Sequence, residues 1–354
     1  MVLLPDSFSS FERTPLLFDH PSPLHLLPNL TRHVHHTTST RAQIWAKRED
    51  CSSGLGLGGN KIRKLEYIVP SALIEGCDTL VTTGGVQSNH MRQVAAVADH
   101  LGLKTVLVPQ VTGRSESEAF ERAGNVQVNG ILGAEYAKPG DSLDEVAARF
   151  KLQGHKPYVI ASGGASHPHG GLGFARWAFE LIEQELALDV FFDVIVLPVA
   201  SGGTIGGMIA GFKLADQLKE TTLEISPGNR RTRQIIGIDT YDKPTDVLEA
   251  AILEIAKRTA KLLGLGEDAV EASDVILDTR YNFGTHTGWG EHAAEGVRLL
   301  GNKEGIISDP IYSGRAIGAV LDMAKQGELD GKVNVLFVHT GGQAALGAFP
   351  EMRK

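Results

Sequence analysis

Lys61 is the first residue whose setting suggests chemistry. It follows Asn60, where the glycine-rich stretch GLGLGG (54–59) gives way to the helical pattern KIRKLEYIVPSALIEG. A lysine at a helix start lies near the positive end of the helix dipole, which disfavours its protonated form. If it is also buried there, its amine becomes a nucleophile for a carbonyl, as in Schiff-base formation. The other reading is an exposed basic edge made of Lys61, Arg63 and Lys64, and the local sequence leaves both open. Gly54, Gly56 and Gly59 also fit the G-x-G-x-x-G pattern of dinucleotide sites. That pattern should follow a strand directly, and here REDCSS separates it from the apolar run AQIWA. A glycine loop that lets backbone approach a bound group is the alternative.

A second loop bears on this choice. Ser201, Gly202, Gly203 and Thr204 open SGGTIGG, between the apolar run VIVLPV and the apolar helical pattern MIAGF. Glycines there leave backbone N–H groups free. With a helix N-terminus and two hydroxyls they make an anion cradle suited to a phosphate. A close-packing glycine turn would have the same sequence. A Schiff-base lysine together with a phosphate cradle that serves no nucleotide is the combination pyridoxal phosphate requires. Other chemistries lack their patterns: the chain has no G-x-x-x-x-G-K-[ST] loop, no G-x-S-x-G elbow and no H-E-x-x-H helix.

The elements that must position these loops are legible as short, β-branched, apolar runs ending in glycine or small polar residues. They are 79–85 (TLVTTGG), 105–109 (TVLVP), 158–164 (YVIASGG), 194–203 (VIVLPVASGG), 235–240 (IIGIDT) and 333–342 (VNVLFVHTGG). Such runs suit strands buried on both faces. Helical patterns lie between them, as in MRQVAAVADHLG, TIGGMIAGFKLADQL, DVLEAAILEIAKRTAKLLG and GRAIGAVLDMAKQG. The alternation predicts an α/β protein with mainly parallel sheets. Ligands in such folds sit beyond the carboxyl ends of strands, which points to the loops GGVQSNH, SGGASHPHGG, SGGTIGG and HTGGQAAL. Residues 226–233 (SPGNRRTR) and 31–41 read as mobile surface loops. His33, His35 and His36 in the latter lack an acidic or cysteine partner at ligand spacing, so no metal is expected.

Composition narrows the function classes. Lys and Arg number 34 and Asp and Glu 42, a formal net charge of −8, which does not suit a nucleic-acid partner. Glycine makes up 41 of 354 residues, about 12% against a usual ~7%, and implies many tight loops. Cys51 and Cys77 cannot build a disulfide framework or a four-cysteine zinc site, so a reducing, cytoplasmic compartment is expected. No apolar run reaches the ~18 residues of a membrane span, and the first residues lack the features of a secretory signal. The expected partner is a small molecule.

The stretches KREDCSSGLGLGGNKIRKLEY, TTGGVQSNHMRQVAAVA, GGLGF, SGGT, DPIYSGRA and HTGGQAAL, in this order, resemble the family of 1-aminocyclopropane-1-carboxylate deaminase and D-cysteine desulfhydrase. These are pyridoxal-phosphate enzymes of the tryptophan-synthase-β type (fold type II). The resemblance runs from about Pro15 to Pro350. It implies a large cofactor-binding domain (1–62 and 175–354), a small inserted α/β domain (63–174) and a homodimer. It also implies that Lys61 carries the cofactor as a Schiff base and that Asn89 hydrogen-bonds the ring hydroxyl oxygen. Lys64 and Ser201, Gly202, Gly203 and Thr204 would hold the phosphate. Gln87, Ser88 and Asn89 would bind the substrate carboxylate, Ser88 with a catalytic role as well. Tyr312 matches a tyrosine that lies against cofactor and substrate.

Within that family the two activities differ at positions readable here. Deaminases carry Glu after the matching tyrosine, in Y-E-G-K, and Leu in H-L-G-G. This chain has Ser313 and Thr340, and the loop QSNH ends in His90, all choices similar to the desulfhydrases. A carboxylate facing the pyridine nitrogen keeps it protonated, whereas a hydroxyl permits a neutral ring, suited to prompt loss of a β leaving group. Two departures touch the substrate site. His286 stands where the family has a second tyrosine, and Ala165, next to Ser166, replaces a family serine. No task is assigned to Trp289. The expectation is therefore α,β-elimination on a small D-amino acid such as D-cysteine, giving pyruvate, ammonia and sulfide. The alternative is 1-aminocyclopropane-1-carboxylate deamination, or a related elimination or β-replacement on an unusual amino acid.

Overall fold

In the computed structural model, residues 3–110, 117–223, 232–241, 243–282 and 288–353 are described. Ten strands among them form two sheets: β1 (Leu24–Leu26), β2 (Gln43–Arg48), β3 (Thr79–Gly84), β4 (Lys104–Pro109), β5 (Glu135–Tyr136), β6 (Pro157–Ile160), β7 (Val194–Val199), β8 (Gln234–Asp239), β9 (Ile276–Asp278) and β10 (Asn334–His339). The six-stranded sheet runs β1-β2-β10-β7-β8-β9 and the four-stranded sheet β5-β4-β3-β6. Every pairing is parallel except β1 with β2. The mixed α/β architecture with mainly parallel sheets agrees with the sequence reading.

Each of the six apolar runs forms a strand, and the reason is visible in how its side chains divide. Val194, Val196, Val335 and Phe337 pack into one apolar cluster, while Ile195, Leu197, Leu336 and Val338 pack into another. In the four-stranded sheet Leu80 and Ile160 join one cluster, and Val81, Val106 and Val108 the other. Successive side chains thus meet helices on opposite faces, which is why the runs are continuously apolar. The runs end earlier than their apolar character does. After Ile160 the chain makes a turn at Ser162–Gly164, and after Val199 it enters the helix Gly203–Leu223.

One expectation for a surface loop is corrected. Residues 28–37 form a helix, Pro28–Thr37, with proline at its first position and Leu30 and Val34 buried one turn apart. Two apolar positions among polar ones gave too faint a helical period to be read. His35 bonds the Ala42 carbonyl at 3.0 Å, and among the described residues no group of acidic, histidine or cysteine side chains could hold a metal. Residues 226–231 lie outside the described residues. Arg233, at the other end of that stretch, is pinned to Glu185 by two bonds of 3.0 and 2.9 Å and lies over the Phe191 and Phe212 rings. None of the described helices is long and apolar enough to cross a membrane.

The four-stranded sheet is drawn entirely from Thr79–Ile160, between the helices Lys61–Ile74 and Leu172–Leu188. The positions 62/63 and 174/175, expected as domain boundaries, both fall inside these helices, which pack together closely. A Cβ on Gly173 would lie 2.0 Å from the Arg63 carbonyl oxygen. Beneath this contact Arg63 donates to Glu49 (2.5 Å) and to Glu180 (2.9 Å), and Lys47 donates to Glu180 (2.5 Å), all four side chains being buried. The Trp177 indole N–H also donates to Glu49, at 2.9 Å. Two cations balance two carboxylates, so the helix that begins at Lys61 stands on a neutral, hydrogen-bonded ionic base.

Candidate active site

An open cleft lies where the strands of both sheets end. Its walls come from the loops after β3 (Gly85, Ser88, Asn89, His90), β6 (Ser162, Gly163), β7 (Ala200, Ser201, Gly202, Thr204), β8 (Tyr241, Lys243) and β10 (Thr340), with Asn60, Lys61 and Tyr312. All four loops singled out from the sequence border the same region, as the carboxyl-end rule for parallel sheets requires.

Lys61 is the first residue of its helix, and its setting is built by neighbours that carry no sequence signature. Gln93, on the helix Asn89–His100, accepts the N–H groups of Lys61 (2.9 Å) and Ile62 (3.1 Å) on one side-chain oxygen. Asn60 N–H donates to the Thr340 carbonyl at 3.0 Å. The Lys61 Nζ donates to Asn60 Oδ1 at 3.0 Å, and Asn60 Nδ2 donates to Thr204 Oγ1 at 3.1 Å. Burial, and then the Arg92 guanidinium, bring the Lys61 ammonium down to about 8. Near neutral pH a usable fraction is therefore the free amine. Arg63 and Lys64 are each 1% exposed, so the basic-edge reading fails.

Lys64 points to the same region. Its Nζ donates to the Gly163 carbonyl at 3.2 Å, and a Cβ on Gly203 would lie 2.9 Å from it. Gly203 begins the helix Gly203–Leu223, so an ammonium sits beside the positive end of a helix dipole. Burial, and then Lys61, hold the Lys64 ammonium well below its ordinary range. Among the described residues no carboxylate lines the cleft or pairs with either lysine. Two cations and a helix N-terminus without an anion form a site that a bound dianion would complete. Gly163 adopts φ +69°, and a Cβ there would meet Ser201 Oγ at 2.4 Å, so this glycine lets the Ser201 loop close on the turn after β6. These residues fit a phosphate-bearing carbonyl cofactor.

The opposite wall is the start of the helix Asn89–His100. Ser88 Oγ accepts the Met91 N–H at 3.2 Å, which caps the helix and keeps the hydroxyl hydrogen for a ligand. Asn89 Oδ1 accepts from Asn125 Nδ2 at 2.8 Å, an arrangement that presents its own Nδ2 as the donor. Tyr312 sits just before the helix Ser313–Lys325, and burial, and then Asp309, push its phenol upward, so it remains a donor. The buried Asp309 carboxylate accepts the N–H groups of Ile311 (2.9 Å), Tyr312 (2.7 Å) and Ser313 (3.1 Å) and so fixes this turn. Ser313 Oγ donates to the Gly341 carbonyl at 2.8 Å and lies 3.3 Å from Thr340 Oγ1.

Not every expected residue reaches the cleft. The Gln87 side chain is committed elsewhere: its Nε2 donates to the Phe120 and Ala123 carbonyls and its Oε1 accepts the Asn125 N–H. It braces the segment behind Ser88 and does not line the cleft. His286 lies outside the described residues. Ala165 is buried, and its carbonyl accepts from Arg258 at 2.8 Å. Trp289 packs against the apolar cluster that contains Phe120, Ile311 and Phe349.

His90, noted only as a family variation, lines the cleft with Nε2 2.9 Å from Thr82 Oγ1. Burial, then Lys61 and Lys64, lower its pKa to about 3, so it stays neutral. Arg92 explains the glycine loop. It is buried and donates to the carbonyls of Gly56 and Gly58, while a Cβ on Gly58 would lie 2.4 Å from the Asp50 carbonyl oxygen. The turn Glu49–Cys51 intervenes between β2 and these glycines, so the dinucleotide geometry is not formed.

Comparison with known proteins agrees with this geometry. Residues 16–341 match the family described as pyridoxal-phosphate dependent enzymes. The chain is 40% identical over 351 residues to a 1-aminocyclopropane-1-carboxylate deaminase of Pseudomonas syringae pv. syringae (strain B728a), covering 97% of this chain and 98% of that protein. It is 41% identical over 347 residues to the protein of that name from Burkholderia cenocepacia (strain J2315), covering 96% of each. A solved structure described as an ACC deaminase homologue superposes with a TM-score of 0.79 at 33% identity, over 97% of this chain and 96% of the other.

Proposed function

The chain belongs to the family of pyridoxal-phosphate dependent enzymes, and from that premise we propose that it is a lyase releasing ammonia from 1-aminocyclopropane-1-carboxylate or a near relative. The sequence reading placed D-cysteine first. The names borne by relatives about 40% identical over nearly the whole chain favour the cyclopropane amino acid instead. The observation that carries the reading is the carboxylate-free cleft that joins Lys61 to the start of the helix Gly203–Leu223, with the Lys64 Nζ beside Gly203.

When bound, pyridoxal phosphate withdraws electrons from the substrate's α-carbon. Lys61 supplies the amine that holds it, made nucleophilic by burial and by Arg92. Lys64, Ser201, Gly202, Gly203 and Thr204 would neutralise and hydrogen-bond its phosphate. Asn89 Nδ2 would donate to the ring oxygen of that group. The Ser88 hydroxyl and the first N–H groups of the helix Asn89–His100 orient the substrate carboxylate. The Lys61 amine, whose ammonium burial and Arg92 bring down to about 8, would serve as the base that takes or returns protons at the substrate carbons. The Tyr312 phenol, held protonated, donates to the same region.

A second reading, α,β-elimination of D-cysteine, is favoured by one observation. The resemblance gives the family's deaminases a carboxylate where this chain has Ser313. The Ser313 hydroxyl hydrogen is given to the Gly341 carbonyl, and a neutral hydroxyl supplies no charge to keep a ring nitrogen protonated. The test is a product assay on holoenzyme. The first reading expects 2-oxobutanoate and ammonia from 1-aminocyclopropane-1-carboxylate. Sulfide and pyruvate from D-cysteine, with no 2-oxobutanoate, would replace it by the second.

A further inference from the structure

A second, much smaller cavity adjoins the cleft, and the two share Gly85, Ser88 and Tyr312 as walls. Its remaining surface is mostly apolar, from Val86, Phe120, Ile311, Ala345 and Phe349, with Gln87 and Asp309. Phe120 and Phe349 meet edge-on with ring centres 5.8 Å apart and, with Ile311 and Ala345, form a separate apolar cluster. Of the four polar residues in the wall, Ser88 and Tyr312 stand where the chamber meets the cleft, and the other two are already satisfied by the protein. The Gln87 amide is bonded to the backbone at Phe120, Ala123 and Asn125, and the Asp309 carboxylate accepts the N–H groups of residues 311–313. A chamber that offers so few free hydrogen-bond partners holds water poorly. Alkyl carbon gains by entering it.

We propose that this chamber is a substrate subsite for an apolar substituent at the β-carbon. The substrate class is then α-amino acids carrying a short alkyl or thioether extension beyond the size of D-cysteine or 1-aminocyclopropane-1-carboxylate. The inference rests on the amino-acid site proposed above. A substrate held by Ser88 and facing Tyr312 has its carboxylate end fixed, and the shared wall directs its distal end to the chamber. Gly85, in the shared wall, has no side chain to stand between the two. The function given above needs no such chamber, because neither small substrate extends beyond the cleft.

The test is an absorbance titration of holoenzyme with D-alanine, D-2-aminobutyrate and D-norvaline, read as dissociation constants. Each methylene that enters an apolar site tightens binding about fourfold, so D-norvaline should bind about sixteen times more tightly than D-alanine. Ala345→Phe fills the chamber and should bring that ratio to about one. Phe349→Ala enlarges it and should extend the gain to D-norleucine, which tests the idea should the first variant not fold. Affinity that is flat or falls with length in the unaltered enzyme overturns the subsite and leaves the amino-acid site standing. No spectral change with any of these ligands overturns both.

Discussion

Thr204→Val removes one hydroxyl and almost no volume, and the structure gives it two separable consequences. Thr204 Oγ1 accepts from Asn60 Nδ2 at 3.1 Å, and its hydrogen remains for a phosphate oxygen. A hydrogen bond to a charged group contributes roughly 1.5–3 kcal/mol, so cofactor dissociation should rise by about one to two decades at 1.4 kcal/mol per decade. Asn60 and Thr204 are both buried, so the valine also leaves Asn60 Nδ2 without an acceptor, at about 1–3 kcal/mol of fold stability. That loss falls on the apo and holo proteins alike and cancels from the cofactor affinity. The assay pairs a fluorescence titration of apoenzyme with pyridoxal phosphate and urea denaturation of the apoenzyme. Thr204→Ser restores both groups and should recover both values. Unchanged cofactor affinity beside a loss of stability would place the phosphate elsewhere. Unchanged stability would deny the Asn60 bond, and with it the path from the cradle to Lys61.

Three further outcomes follow from the same geometry. Borohydride treatment of the holoenzyme should leave the pyridoxyl group on the peptide containing Lys61. Its rate of attachment to apoenzyme should rise about tenfold per pH unit up to about 8 and level off above, because the lowered pKa leaves the reactive, neutral amine dominant beyond that point; stopped-flow absorbance would read this, and a rate still climbing at pH 10 refutes the lowered value. Arg63→Met should cost about 3–5 kcal/mol in urea denaturation, since Glu49 and part of Glu180 are left as buried carboxylates without their cation; a loss below ~1 kcal/mol would mean the network relaxes or protonates freely. Ser313→Glu combined with Thr340→Leu should raise the ratio of 2-oxobutanoate from the cyclopropane substrate to sulfide from D-cysteine by about 10–200-fold, the range for one added apolar contact; an unchanged ratio would show that these two positions do not select the reaction.

Much of the architecture was legible because parallel strands covered on both faces must be apolar at consecutive positions. The six main strands therefore declared themselves without reference to partners. The strands that escaped are short or pair at sheet margins: β1 has three residues, β5 two and β9 three, and β2 alternates polar with apolar. Lys61 and the Ser201–Thr204 loop were legible because a nucleophilic amine and an anion cradle need particular residue types at helix starts. Their convergence was expected from their chemistry but could not be measured along the chain.

What only the tertiary structure decided concerns residues whose partners are far away in sequence. Whether Arg63 and Lys64 form an exposed edge depends on Glu49, Glu180 and Gly163, which lie 14, 117 and 99 residues away. Gln87 has the type of a ligand-binding residue, yet the carbonyls of Phe120 and Ala123 consume its amide. Arg92, Gln93 and Asp309 position the site while touching mainly backbone, so no motif marks them. A side chain's type states what it is able to do. Burial and the partners the fold brings within hydrogen-bond reach decide whether that capacity is left for a ligand, because a buried polar group must be satisfied by protein or by what binds.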